Sequence, residues 1–186
     1  MSRLLAAIAG LGLVISLGGC AAPAADGGSP AALPTPTPDQ SLVPTEAPAT
    51  VVDVDAATFG DGFGWYSFKV GDGPAWCTIA TDMNQVICEQ NEAAAVYATI
   101  PTPADCIGSY GYQLRLWAAA PASGATAEFV CATGQFQDPS QAQVLPSGSR
   151  ISVPPFTCFV QDITARCDNE SGQWMALGPQ TWSLHP

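Results

Sequence analysis

The chain has 186 residues, of which 17 are Pro and 18 Gly while only 11% are charged, a balance that argues against a helical bundle or coiled coil and leaves room for one turn-rich domain. Five basic against 16 acidic residues give a net charge of −11, which argues against nucleic acid, whose phosphates demand a basic face, and against electrostatic adsorption to anionic lipid. A single His, at position 185, and seven Cys without any Cys-x-x-Cys spacing make zinc chemistry and histidine-based catalysis poor expectations, so no metal or cofactor is expected.

In chain order, Met1-Ser2-Arg3 supplies a short positive start, and Leu4 to Leu17 follow without a charge. That run is too short for a bilayer, which needs roughly 20 residues, but it suits the apolar region of an export signal. Leu17-Gly18-Gly19-Cys20 then resembles the bacterial lipobox: an aliphatic residue, two small residues at the cleavage point, and the cysteine that becomes the new N-terminus. The resemblance implies a signal peptide over residues 1–19 and a diacylglyceryl thioether on Cys20. Each buried methylene contributes about 0.8 kcal/mol, so two acyl chains hold stably where one does not. The implied location is the extracytoplasmic face of a bacterial cell membrane, with the membrane as a partner through the lipid.

Residues 20–58 change composition abruptly. Pro23, Pro30, Pro34, Pro36, Pro38, Pro44 and Pro48 alternate with Ala, Thr and Gly, which reads as a disordered, semi-rigid tether of roughly 3 Å per residue where it is polyproline-like.

Residues 59–186 read as the folded domain: all-β, small, antiparallel and built from disulfide-stapled hairpins. Short apolar runs alternate with Gly and Pro, and period-two patterning marks strands over 66–70, 112–117 and 151–153. Glu89 to Tyr97 is the one helix candidate.

Cys77 to Cys88 and Cys158 to Cys167 each suit an antiparallel hairpin whose register pairs the two cysteines, placing Ile79 opposite Val86 and Val160 opposite Ala165. An Asp opens each reversal, Asp82 or Asp162, and a tight primed turn or a four-residue loop would each fit. Two stapled hairpins suggest an internal two-fold repeat. Cys106 and Cys131 remain, flanking a third candidate hairpin of 110–117 and 126–131. Six cysteines allow about 15 connectivities, and the local set 77–88, 106–131 and 158–167 is expected.

The order of these cysteines, with Gly111-Tyr112, Phe129-Val130-Cys131, Phe156-Thr157-Cys158, Cys167-Asp168-Asn169 and Ser171-Gly172, resembles a domain of unknown function in short actinobacterial exported proteins. The resemblance covers roughly residues 63–184. Where that pattern continues with His, Gly and Phe, this chain has Gln173-Trp174-Met175. The resemblance implies fold and location, and no activity.

Catalysis finds little support in the residues. His185 is penultimate, Ser147 and Ser171 read as turn residues, and Asp162 with Asp168 or Asp82 with Glu89 are the candidate carboxylate pairs for a small hydrolase. Arg115 and Arg166 could clamp an anion or pair with nearby acids. Aromatic residues are numerous, and Trp174, after the turn signal 169–172, is the leading candidate for an exposed patch that binds an envelope protein or small ligand. A non-enzymatic, lipid-anchored binding module is the expected function, with the carboxylate hydrolase as the alternative.

Overall fold

The structure, a computed structural model, describes residues 37–45, 47, 50–122 and 124–186; Cys20, the leader and the first part of the tether lie outside them. Among the described residues twelve strands form two sheets. In chain order they are β1 Val52–Asp53, β2 Trp65–Val70, β3 Trp76–Ala80, β4 Gln85–Glu89, β5 Gln113–Trp117, β6 Ala127–Phe129, β7 Gln143–Leu145, β8 Ser149–Val153, β9 Phe156–Gln161, β10 Thr164–Asn169, β11 Trp174–Gly178 and β12 Thr181–His185. The first sheet runs β6-β5-β4-β3-β2-β7 and the second β1-β8-β9-β10-β11-β12.

Alternation decides which side chains meet between the sheets. Phe68, Val70, Cys77, Ile79, Val86, Cys88, Leu114 and Leu116 from the first sheet share one core with Ile151, Phe156, Cys158, Val160, Ala165, Cys167, Met175 and Leu177 from the second. Each large apolar side chain so buried contributes about 1.5–3 kcal/mol.

The all-β architecture and both hairpin registers agree with the sequence reading: Ile79 opposes Val86, and Val160 opposes Ala165. The reversals differ. Thr81 to Asn84 make a four-residue turn in which Asn84 takes φ +53°, whereas Asp162-Ile163 is a tight two-residue turn with Asp162 at φ +54°. Asn and Asp tolerate this left-handed backbone better than most residues.

The two-fold repeat extends across the strands of both sheets. One row across the first sheet reads Phe68, Cys77, Cys88, Leu114, Phe129, and the matching row across the second reads Ile151, Cys158, Cys167, Met175, Leu184. The three disulfides are Cys77–Cys88, Cys106–Cys131 and Cys158–Cys167.

Three expectations are corrected. Pairing is not wholly antiparallel, because β1 runs parallel to β8 and β7 parallel to β2. Each of these short strands precedes one half of the repeat and crosses to the other half's sheet, so the halves exchange edge strands. Secondly, the folded chain begins before residue 59. Backbone N–H of Asp39 donates to Gln180, Val43 is buried, Arg166 donates to the carbonyls of Pro44 and Thr45, and β1 docks on β8 with Arg150 on Asp53 at 2.6 Å. Apolar and hydrogen-bonding positions among the prolines carry this docking, which composition averaged over 20–58 conceals. Finally, 89–97 is not a helix: Glu89 is held in β4 between Trp76 and Gln113, and only a 3-10 turn over Glu92–Ala94 follows.

Candidate functional site

Comparing the two halves locates what is unique to one of them. In the second half β10 passes to β11 through 170–173, but in the first the equivalent connection from β4 to β5 takes 90–112. Long connections in compact domains are commonly functional. This insertion also has its own disulfide, Cys106–Cys131, which has no counterpart in the second half.

The insertion is ordered from its base upward. Gln90 Nε2 donates to the Tyr97 hydroxyl at 2.7 Å, and that hydroxyl donates to the Gly111 carbonyl at 2.8 Å. Burial pushes the Tyr97 phenol up to about 12 from an ordinary 10.0. The Tyr97 and Tyr112 rings stack at 6.5 Å. Gly111 takes φ +95° with Ile100 beneath it, a conformation reserved for glycine. Ser109 and Ala132 exchange two backbone hydrogen bonds of 2.8 and 2.9 Å, and a side chain on Gly108 would collide with the Ala132 carbonyl. The disulfide and this bridge together hold the insertion's far end against 131–135.

Between those walls lies a groove on the outer side of the first sheet. It comprises a cleft of about 200 Å³ beside Trp76, Gln90, Asn91 and Gln135, and one of about 260 Å³ beside Thr99, Thr102 and Tyr110. Glu92, Ser109 and Tyr112 line both, and no Lys, Arg or His lines either among the described residues. The Tyr112 phenol is raised by burial first, and then by the Glu92 carboxylate beside it.

Glu89, at the inner end of this groove, is 3% exposed and wholly engaged. Its Oε1 accepts from Trp76 Nε1 at 2.9 Å and Gln137 N at 3.1 Å, and its Oε2 accepts from Gln113 Nε2 at 2.5 Å and Phe136 N at 2.8 Å. Four donors, two on each oxygen, occupy the carboxylate's acceptor positions. Its task is to latch 136–137 onto the sheet, helped by Phe136 stacked on Trp65 at 5.1 Å.

The residues singled out from the sequence are dispersed. Asp82 lies in the turn before β4 and Glu89 at that strand's far end, while Asp162 lies in the turn before β10 and Asp168 near that strand's far end, so each pair stands more than about 13 Å apart. Ser147 and Ser171 are turn residues: the Ser147 hydroxyl accepts from Asp162 N, and Asn169 Oδ1, at the end of β10, accepts from Ser171 N and Gln173 N. His185 does not fray; it pairs with Trp174 in β12. Arg166 binds Asp168 as well as the docked arm, and Arg115 lies 3.7 Å from Glu128 and over Trp117.

Trp174 points to the outer side of the second sheet, away from the Cys158–Cys167 staple, because its neighbour Met175 is the residue opposite Cys167. It is half-buried rather than freely exposed. The Arg166 guanidinium lies 4.2 Å from its ring centre and the His185 ring stacks at 5.5 Å, brought by the strands on either side. Cys77, Cys88 and Cys167 hold their sulfurs within 4.8 Å of one another, and all three are bonded in disulfides.

The groove was not singled out from the sequence, although two signals for it are there. The interval from Cys88 to the next strand far exceeds that from Cys167, and Cys106 with Cys131 has no partner in the second repeat. No protein-family model matches the chain, and neither a curated protein nor a solved structure matches it.

Proposed function

We propose that this chain is a cell-envelope lipoprotein, anchored through Cys20, whose domain is a non-enzymatic binding module presenting the groove of residues 90–112. The observation that carries the binding reading is the asymmetry of the repeat: one half alone has the insertion, its own disulfide and the open groove it walls. Duplicated halves that needed only to fold would have no use for it. The anchor rests on Leu17-Gly18-Gly19-Cys20 and the preceding apolar run, and disulfides suit an oxidising compartment outside the cytoplasm.

A carboxylate hydrolase is the competing reading. Within the groove the acids are Glu89 and Glu92, and the oxygens of Glu89 are already taken up by four donors of the protein itself. That chemistry favours binding over hydrolysis.

The test has two parts. Fatty-acid labelling should mark the wild type and not Cys20→Ala; equal labelling of both rejects the anchor. A photo-crosslinking residue at exposed Gln135 should capture a defined neighbour in cells, whereas the same residue at exposed Asp72, away from the groove, should not. Equal capture from both positions rejects the groove.

A further inference from the structure

We infer that the groove takes an uncharged oligosaccharide, an assignment that rests on the groove being the binding surface. Its open polar lining is made mainly of groups that both donate and accept: the amides of Asn91 and Gln135, and the hydroxyls of Ser109, Thr99 and Thr102. Adjacent hydroxyls of a sugar ring present a donor and an acceptor close together, and an amide side chain answers both at once. Tyr112 and Tyr110 offer aromatic surface for the apolar face of a sugar.

Charge excludes an anionic ligand and offers a cationic one a single carboxylate contact. An anionic ligand would meet no cation in either cleft and would approach a chain of net charge −11. A cationic ligand would find Glu89 already saturated by four donors, leaving Glu92, beside the Tyr112 hydroxyl, as its one open carboxylate. Gln90 adds an independent sign of a missing partner: it lines the first cleft, is 4% exposed, and its carbonyl oxygen receives no hydrogen bond within the protein. A small turn of this side chain toward the groove would let a ligand hydroxyl supply that donor. Because the two clefts adjoin through shared residues, the ligand spans more than one ring.

The experiment uses the full oxidised chain in detergent against an array of neutral, anionic and aminated oligosaccharides, followed by amide chemical-shift mapping with the strongest binder. Neutral glycans should bind, with saturable shifts confined to 89–92, 99–102, 108–113 and 132–135. Asn91→Ala and Gln135→Ala alter exposed side chains and leave the fold intact; each should weaken binding about fivefold, the loss of one hydrogen bond. Binding of only anionic or only aminated glycans, no binding at all, or shifts outside the groove would each overturn the sugar assignment. If the array is blank while Gln135 still crosslinks selectively in cells, the groove stands and only the ligand class falls. If both are silent, both fall.

Discussion

The sulfur of Cys88 lies 4.0 Å from the sulfur of Cys167, so the equivalent staples of the two repeat halves touch at the centre of the core. Both cysteines are sealed from solvent at 1% and 0% exposure. Contact at this range puts a thiolate on either one within reach of the other's disulfide.

Cys77→Ala is therefore expected to redirect the bonding. The freed Cys88 thiolate would attack Cys167, forming a Cys88–Cys167 bond between the sheets and releasing Cys158 as the thiol. Peptide mapping without reduction reads this directly. An unchanged Cys158–Cys167 bond with a persistent free thiol at Cys88 would show that the core holds the sulfurs out of line for exchange.

The third disulfide should behave differently. Replacing Cys106 and Cys131 by Ala removes a link outside the shared core, so hydrogen exchange should quicken across 101–109 while the amides of β3 and β9 keep their protection. Loss of protection throughout both sheets would mean that the insertion is integral to the fold and not an addition to it.

Glu89→Gln exchanges a carboxylate oxygen for an amide nitrogen that must face donors already in place. Unfolding by denaturant should report a loss of about 2–3 kcal/mol, since at least one buried donor is left unsatisfied. Glu89→Ala should in addition release 136–137 to proteolysis. A neutral effect would contradict the latch.

Trp174→Ala should cost about 1–2 kcal/mol, the scale of one cation–π contact with Arg166 and one stack on His185. A core tryptophan would cost about 3–5 kcal/mol. Thermal melts decide between them, and a loss of the larger size would place this side chain in the load of the core despite its outward direction.

Tyr97 makes stability depend on alkali. Its phenol ionises near 10.0 in the unfolded chain and at about 12 when folded, so its contribution is complete below pH 10 and declines as pH rises between those values, where only the unfolded chain releases the proton. Melting temperature should fall across that window, and Tyr97→Phe should flatten the fall. An identical alkaline profile in both proteins would assign the effect elsewhere.

Much of this molecule is decided locally and is legible in the chain. Period-two alternation states which side chains share a face, and cysteines placed symmetrically about a turn state the register, so the hairpins of Cys77–Cys88 and Cys158–Cys167 and their repeat need no tertiary information. Tertiary structure alone decided what covers each face. Alternation assigns Trp76, Ile87 and Phe159 to the outer sides of the sheets, yet all three are buried. The parallel exchange of β1 and β7, the docking of 39–45 on Arg166, the four donors around Glu89 and the rings flanking Trp174 likewise join residues that no local period relates. Such contacts form because exposed strand faces and edges must be covered, and which segment covers them depends on loop closure and shape across the whole fold.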